Sequence, residues 1–78
     1  MNLLGITQIV DAKGLSCPMP IVKTAQAMKT LASGAVVEVL ATDPGSVKDF
    51  AAWARSTGNE LIDQSFDGAV YRFVILRK

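Results

Sequence analysis

Cys17 is the residue of this chain with the clearest capacity for covalent chemistry. The sequence has 78 residues, with one Cys and no His. A lone thiol forms no disulfide within its chain, and the lack of His excludes Cys-His and Ser-His nucleophile pairs as well as Cys₂His₂ and Cys₃His zinc sites. Catalysis would therefore depend mainly on Cys17, and no metal site is expected. A chain without paired cysteines is also expected in a reducing compartment.

The segment that surrounds Cys17, residues 11–20, reads DAKGLSCPMP and predicts a turn followed by a helix. Gly14 is a turn signal, and Pro18 fits the first helical position, where a backbone N–H has no helical partner. A residue before proline is pushed toward extended geometry, which is the conformation of an N-cap, so Cys17 is predicted to be the N-cap. Pro20 removes a second donor from the first turn. Gly14, Pro18 and Pro20 are thus expected to shape the site.

The predicted helix start should affect the acidity of the Cys17 thiol. The positive end of a helix dipole lowers the pKa of a thiol, which predicts some thiolate near neutral pH. Lys13 in the preceding loop is expected to add to this effect, and Lys23, more than a turn into the helix, to add less. The N–H groups of Met19 and Ile21 are those expected to face the sulfur, and Met19 is expected to lie exposed beside it.

Two interpretations of Cys17 remain equally compatible with the local pattern: a small buried residue at a tight turn, and a reactive thiol. A reactive thiol without a second Cys cannot run a dithiol cycle, and without His it lacks a base for acyl transfer. Transfer of sulfane sulfur remains, in which Cys17 accepts sulfur as a persulfide and yields it to another protein's cysteine. A neighbouring thiol would attack that persulfide, so a single Cys suits this role.

The elements that must position Cys17 follow from hydrophobic periodicity. Residues 7–11 and 35–42 have strand character, residues 60–66 and 69–76 alternate around an Asp-Gly turn signal, and helical spacing follows Pro18 and Pro44. Gly34 and Gly58 are predicted to end the two helices, and Asp43 is predicted to cap the second, with Ser46 and Asp49 as a competing capping box. The order is β-α-β-α-β-β.

This order predicts an α/β (α+β) two-layer sandwich, in which two helices cover one face of a mixed four-stranded sheet. The length supports a single domain over residues 1–78. Because both helices should begin beyond the carboxyl ends of their strands, Asp43 could lie beside the Cys17 sulfur and contact a partner.

Charge and hydropathy exclude other classes of function. The formal net charge is +1, with no cluster of Lys and Arg for phosphates, so direct binding of nucleic acid is not expected. The start, MNLLGITQIV, lacks the charge and the long apolar run of a signal peptide, and no stretch is long enough to cross a membrane. A cytoplasmic monomer is expected.

The run DAKGLSCPMP resembles the signature of the TusA (SirA-like) sulfur-carrier family, small proteins with a Cys-Pro-x-Pro motif after a strand. The later Thr-Asp-Pro segment and the Asp-Gly hairpin also match, so the resemblance covers about residues 7–76. It implies the predicted fold, a Cys17 persulfide, and a helix start shaped by Pro18 and Pro20. It also implies a carrier rather than a stand-alone enzyme, with no cofactor beyond the sulfur carried on Cys17.

The resemblance further implies a sulfur donor, either a cysteine desulfurase or a rhodanese-like protein, and an acceptor protein with a reactive Cys. The family's routes include tRNA thiolation, molybdenum-cofactor biosynthesis and sulfur oxidation. Members that serve tRNA thiolation often carry an acidic residue between the prolines, so Met19 favours a route such as sulfur oxidation. The alternative function is a non-catalytic interaction or regulatory module in which the Cys17 turn is only structural.

Overall fold

The computed structural model describes residues 5–78 of the chain. Its elements, in order, are β1 (Gln8–Ala12), α1 (Met19–Met28), β2 (Val36–Ala41), α2 (Ser46–Thr57), β3 (Glu60–Phe66) and β4 (Tyr71–Leu76). The expected β-α-β-α-β-β order is confirmed. The expectation that the chain start lacks a signal peptide rests in part on residues 1–4, which lie outside the described residues. No helix within residues 5–78 is long and apolar enough to cross a membrane.

The four strands form one mixed sheet in the order β1-β2-β4-β3. β1 and β2 pair in parallel, and β4 pairs antiparallel with both β2 and β3. β2 lies between β1 and β4, with Val37, Val39 and Ala41 buried toward the helices and the alternate residues of its other face half-buried. β2 is thus an internal strand of the sheet.

The core lies between the helices and one face of the sheet, as expected for two layers. Alternate residues of β1, β2 and β4 point toward the helices, and the members of the core that are almost inaccessible to solvent are Val10, Ala12, Met28, Val37, Val39, Ala41, Phe50, Phe73 and Ile75. Phe50 of α2 stacks on Phe73 with a centroid distance of 4.7 Å and meets the Trp53 ring edge at 6.0 Å. Met28 is buried at the end of α1.

The opposite face of the sheet carries a charged cluster at its centre. The Arg72 Nε donates to Glu38 Oε2 at 2.6 Å, and Arg72 Nη1 lies 3.3 Å from Asp63 Oδ2. These three residues belong to β2, β4 and β3, so their ion pairs link the inner strand pair with the edge hairpin. The cluster lies on the face away from the helices and takes no part in the surroundings of Cys17.

The predicted helix ends are correct for α2 and wrong for α1. Gly58 adopts a left-handed conformation with φ of 77° directly after α2, as expected for a C-cap glycine. α1 ends at Met28, well before Gly34, and Lys29 is its C-cap with ordinary helical angles. Gly34 is left-handed with φ of 92°, but its N–H donates to the Arg77 carbonyl at 2.7 Å, so it serves the entry into β2 rather than the helix end.

The hairpin between β3 and β4 is present, with its turn displaced by one residue from the predicted Asp-Gly pair. The Asp67 N–H donates to the Val70 carbonyl oxygen at 3.3 Å, which places the central positions at Gly68 and Ala69. The Asp67 Oδ1 accepts hydrogen bonds from the N–H groups of Ala69 and Val70. These bonds hold the pKa of the Asp67 carboxyl below its usual value.

Gly58→Ala tests the C-cap of α2. At a φ of 77° a Cβ is strained even though no other atom crowds the site, and we expect a loss of about 1 kcal/mol in the free energy of unfolding. The measurement is denaturant unfolding followed by circular dichroism. Ala52→Gly, at an exposed position inside the same helix, should lower the free energy of unfolding by a similar amount through helix propensity. A Gly58→Ala protein as stable as the parent would contradict the assignment of Gly58 as the left-handed C-cap.

Candidate functional site

The site lies at the end of the sheet where β1 and β2 finish and both helices begin. Cys17 is exposed and is the only thiol of the chain. The Cys17–Pro18 peptide bond is cis. The interpretation of Cys17 as a buried residue at a tight turn is therefore wrong, because its side chain is open to solvent.

The predicted N-cap at Cys17 is wrong by one residue. α1 begins at Met19 with Pro18 in the N-cap position, and the Val22 N–H donates to the Pro18 carbonyl oxygen at 3.1 Å. The Met19 N–H donates to the Ser16 carbonyl oxygen at 2.9 Å, so it does not serve the sulfur as expected. The reason is that a turn closed by this bond precedes the helix, so Cys17 lies one residue before the N-cap.

The loop that carries Cys17 is bonded to the loop between β2 and α2. The Cys17 N–H donates to Asp43 Oδ2 at 2.9 Å, and the Gly14 N–H donates to Thr42 Oγ1 at 2.9 Å. Gly14 has a φ of 80°, a conformation that glycine adopts without strain. The successive residues Thr42 and Asp43 thus hold two backbone amides of the Cys17 loop, and the position of Cys17 depends on both hydrogen bonds.

Asp43 does not cap α2 as predicted. α2 begins at Ser46 with Gly45 in the N-cap position, and no side chain caps it. The expected capping box also fails, because the buried Ser46 hydroxyl has no hydrogen-bond partner within residues 5–78. The Asp43 carboxylate instead lies between the two loops, with Oδ2 toward the Cys17 amide and Oδ1 3.4 Å from the Gly45 nitrogen.

The acidity of Cys17 runs opposite to the sequence-based expectation. A hydrogen bond to the Asp49 carboxylate is the largest cause that raises the pKa of the Cys17 thiol above its ordinary value of 9.0. Partial desolvation and the negative charges of Asp49 and Asp43 raise it further. The two carboxylates near Cys17 thus favour the protonated thiol, opposite to the expected effect of the α1 dipole.

The predicted lysines engage Asp11 rather than the sulfur. Lys23 Nζ donates to the Asp11 carbonyl oxygen at 2.6 Å. Lys13 Nζ lies 3.9 Å from Asp11 Oδ2, and the Lys13 N–H donates to Asp11 Oδ1 at 3.1 Å. Asp11 thereby organises the turn between β1 and α1. Neither lysine is a cause of the shifted pKa of Cys17.

Two other residues of the motif differ in exposure. Met19 is 47% exposed next to the Cys17 turn, while Pro20 is buried and its carbonyl oxygen accepts a hydrogen bond from the buried Thr24 hydroxyl at 2.8 Å. Pro20 therefore fixes the first turn of α1 to the core, and Met19 leaves an apolar, flexible side chain at the surface beside the thiol.

Two residues at the site were missed by the sequence reasoning, Asp49 and Thr42. The sequence pattern gives Asp49 only a role in a capping box and places Thr42 at the end of a strand. A signal for both was available: if both helices begin at one end of the sheet, a polar residue ending β2 and an acidic residue in the first turn of α2 should meet the loop after β1.

The site holds no group of metal ligands. Within residues 5–78 no three Cys, Asp or Glu side chains lie together in a way that could bind a metal ion. The arrangement offers instead one exposed thiol, two carboxylates near it, and an apolar methionine. Such a site can form a covalent bond through sulfur, and its exposed side chains are accessible to another protein.

Asp49→Asn tests the cause of the raised pKa. Asparagine removes the negative charge and replaces a carboxylate acceptor with a weaker amide oxygen, so the pKa of Cys17 should fall and the thiolate fraction at a given pH should rise. We expect the curve of alkylation rate against pH to move to lower pH, with faster labelling at pH 7.5. Glu60→Gln removes one negative charge at the start of β3, at the end of the sheet remote from Cys17. It should leave the curve of alkylation rate against pH unchanged. An unchanged curve for Asp49→Asn would contradict the assignment.

Comparisons with known proteins agree with this geometry. The family model described as "Sulfurtransferase TusA" matches residues 8–77. The chain is 48% identical over 68 residues to the sulfur carrier protein TusA of Allochromatium vinosum, covering 87% of this chain and 90% of that protein. It is 51% identical over 71 residues to a putative sulfur carrier protein of Halobacterium salinarum, covering 90% and 88% of the two chains.

A solved structure shows the same fold. The crystal structure of the SirA-like protein from Desulfitobacterium hafniense superposes with a TM-score of 0.76 at 25% sequence identity, covering 88% of this chain and 95% of that one. The residues matched by the family model, 8–77, include all four strands, the Cys17 loop and both helix starts. On the family model, the relatives and the fold together, this chain belongs to the TusA family.

Proposed function

We propose that this protein is a sulfur carrier that accepts sulfane sulfur as a persulfide on Cys17 and passes it to a cysteine of a partner protein. The observation that carries the proposal is that the only thiol of the chain is exposed at the end of the sheet, in a loop held by backbone hydrogen bonds. In this proposal the chain is a single carrier domain, and its sulfur is cargo rather than a cofactor.

Sulfur transfer needs no oxidant. The Cys17 sulfur attacks the outer sulfur of the donor persulfide, a new S–S bond forms at Cys17, and the donor S–S bond breaks with its electron pair on the donor sulfur. The proton lost by Cys17 is matched by the proton gained by the donor thiolate, so thiol plus persulfide gives persulfide plus thiol. The acceptor thiolate then attacks the outer sulfur on Cys17 and returns Cys17 to a thiol.

The raised pKa of Cys17 means that the protein alone is a weak nucleophile near neutral pH. A donor with basic groups would form ion pairs with Asp43 and Asp49, remove the cause of the raised pKa, and favour the thiolate in the docked complex. The uncomplexed thiol would remain protonated and less prone to oxidation. Activation would thus coincide with partner binding.

The same raised pKa favours the second candidate function, a non-catalytic interaction module in which the Cys17 turn only shapes a surface. The two candidates differ in one respect: an interaction module gains no sulfur at Cys17. Binding of a partner does not separate them, because both candidates bind proteins through the same end of the sheet.

Intact mass spectrometry after incubation with a cysteine desulfurase and cysteine tests the carrier. The expected result is the gain of one sulfur atom, which a reductant removes, and its passage to an acceptor thiol on mixing. Protein whose Cys17 has first been alkylated is the matched control and should gain none. A failure of the unmodified protein to gain sulfur from desulfurases, rhodanese-type donors and inorganic polysulfide would favour the interaction module.

A further inference from the structure

An apolar cavity lies on the side of α2 away from Cys17. It has a volume of about 150 Å³ and is lined by Val47, Gln64, Ser65, Phe66, Tyr71 and Phe73. Phe66 stacks on Tyr71 with a centroid distance of 4.3 Å and an interplanar angle of 23°. Phe66 is nevertheless 54% exposed, so a large aromatic surface borders an unfilled space. We call this cavity, with the six residues that line it, the aromatic cavity.

The aromatic cavity and Cys17 share one end of the sheet. The register joins Ala12 to Ala41, Ala41 to Tyr71, and Tyr71 to Phe66 in a single row across all four strands. Three strand spacings of about 4.8 Å make this row about 14 Å wide. The Cys17 loop follows Ala12 at one end of the row, and Phe66 stands at the other.

The first turn of α2 lies between the two features. Val47 lines the aromatic cavity, whereas Asp49, in the same first turn, is close enough to the Cys17 thiol to raise its pKa. A protein interface of standard size covers about 800 Å² on each partner. A square patch of that area is about 28 Å across, about twice the length of the row. One partner protein in contact with Cys17 can therefore also reach the aromatic cavity.

Charge defines the kind of partner that fits this surface. Asp43, Asp49 and Asp67 all lie along the same end of the sheet, and among residues 5–78 none of the three has a Lys or Arg within ion-pair distance. The carboxylates on the opposite face, Glu38 and Asp63, are paired with Arg72. A partner surface that carries Lys or Arg is therefore electrostatically complementary to these three aspartates.

We propose that the aromatic cavity is a second contact point for the protein that exchanges sulfur with Cys17, and that it takes one apolar side chain from a basic surface of that protein. A volume of about 150 Å³ is enough to hold one benzene ring, so one Leu, Met or Phe side chain fits. Stacked, half-buried aromatic residues at such a cavity are typical of residues that contribute strongly to binding. The proposal rests on the proposed carrier function.

Sulfur loading by two kinds of donor provides the test. With a cysteine desulfurase and cysteine, Phe66→Ser should raise the KM for the carrier by about tenfold, with kcat nearly unchanged, because one strong contact is lost. With inorganic polysulfide, which needs no docking surface, the loading rate should stay at the wild-type value. Val47→Thr changes the other wall of the cavity at nearly constant volume and should raise the KM in the same direction.

Ile62→Ser is the matched control. Ile62 is 42% exposed and lies in β3 near the end remote from Phe66, so its substitution removes similar apolar surface outside the proposed contact. The docking proposal is overturned if Phe66→Ser and Ile62→Ser load equally fast from the desulfurase. Failure of the wild-type protein to load from either donor would instead overturn the carrier function itself. Denaturation midpoints of the variants verify that each is folded.

Discussion

Cys17→Ser is expected to lose all capacity to carry sulfane sulfur while the chain remains folded. A serine hydroxyl stays protonated at neutral pH and does not accept sulfur to form a persulfide, so no bond equivalent to Cys17–S–SH can form. Cys17 is exposed and its side chain packs against no core residue. The free energy of unfolding should therefore change by no more than about 0.5 kcal/mol.

The measurement combines intact mass after incubation with a desulfurase and cysteine, and the yield of sulfur on an acceptor thiol. Transfer through Cys17→Ser should equal the background without carrier, whereas Ser16→Ala, next to the same turn, should load normally. Unfolding curves of both variants should overlay that of the wild type. Stoichiometric sulfur on the Cys17→Ser protein would show that the carrier function does not reside in the thiol.

Phe50→Ala is expected to produce the largest loss of stability. Phe50 is fully buried, stacks on Phe73 and contacts the edge of Trp53, so it links α2 to β4 and to its own next turn. Removing such a ring costs about 3–5 kcal/mol. A chain of this size is stable by about 4–12 kcal/mol in total, so the variant should lose a large fraction of its stability and unfold at much lower temperature.

Denaturant unfolding compares Phe50→Ala with Phe66→Ala, which makes the same chemical change at a half-exposed position. Phe66→Ala should cost only about 1 kcal/mol, mainly through its stacking on Tyr71. If Phe50→Ala is too unstable to measure, Phe50→Leu keeps most of the volume and should cost less than about 1.5 kcal/mol. Equal losses for Phe50→Ala and Phe66→Ala would contradict the placement of Phe50 in the core.

The element order and the two layers could be predicted from the sequence because each element carries its own periodicity. The mostly apolar run of β2, interrupted by Glu38, and the glycine after α2 are local signals, and local structure follows them. The strand order β1-β2-β4-β3 could not be predicted, because it depends on pairing between segments far apart in the chain. The end of α1 was misplaced at Gly34 since a left-handed glycine serves a loop as well as a helix end.

The site was predictable in its covalent chemistry and less so in its electrostatics. The motif identified Cys17, but its pKa is shifted in the direction opposite to the prediction, which considered the helix dipole, Lys13 and Lys23 and no carboxylate. The carboxylates that raise it lie 26 and 32 positions further along the chain, and only the fold brings them to the thiol. The position of Asp43 beside the Cys17 loop follows from the shared end of the two helices and is confirmed, whereas the local role of Asp49 in a capping box concealed its proximity to the thiol.

The hydrogen bonds from the Cys17 and Gly14 amides to the loop that precedes α2 have a consequence for the order of events in a relay. A carrier with a long flexible arm can deliver its load between distant centres within one assembly. Here the sulfur has no such arm, because hydrogen bonds hold the backbone of the Cys17 loop to the loop that precedes α2. Donor and acceptor must therefore occupy the same surface in succession, and each partner is expected to compete with the other for the protein.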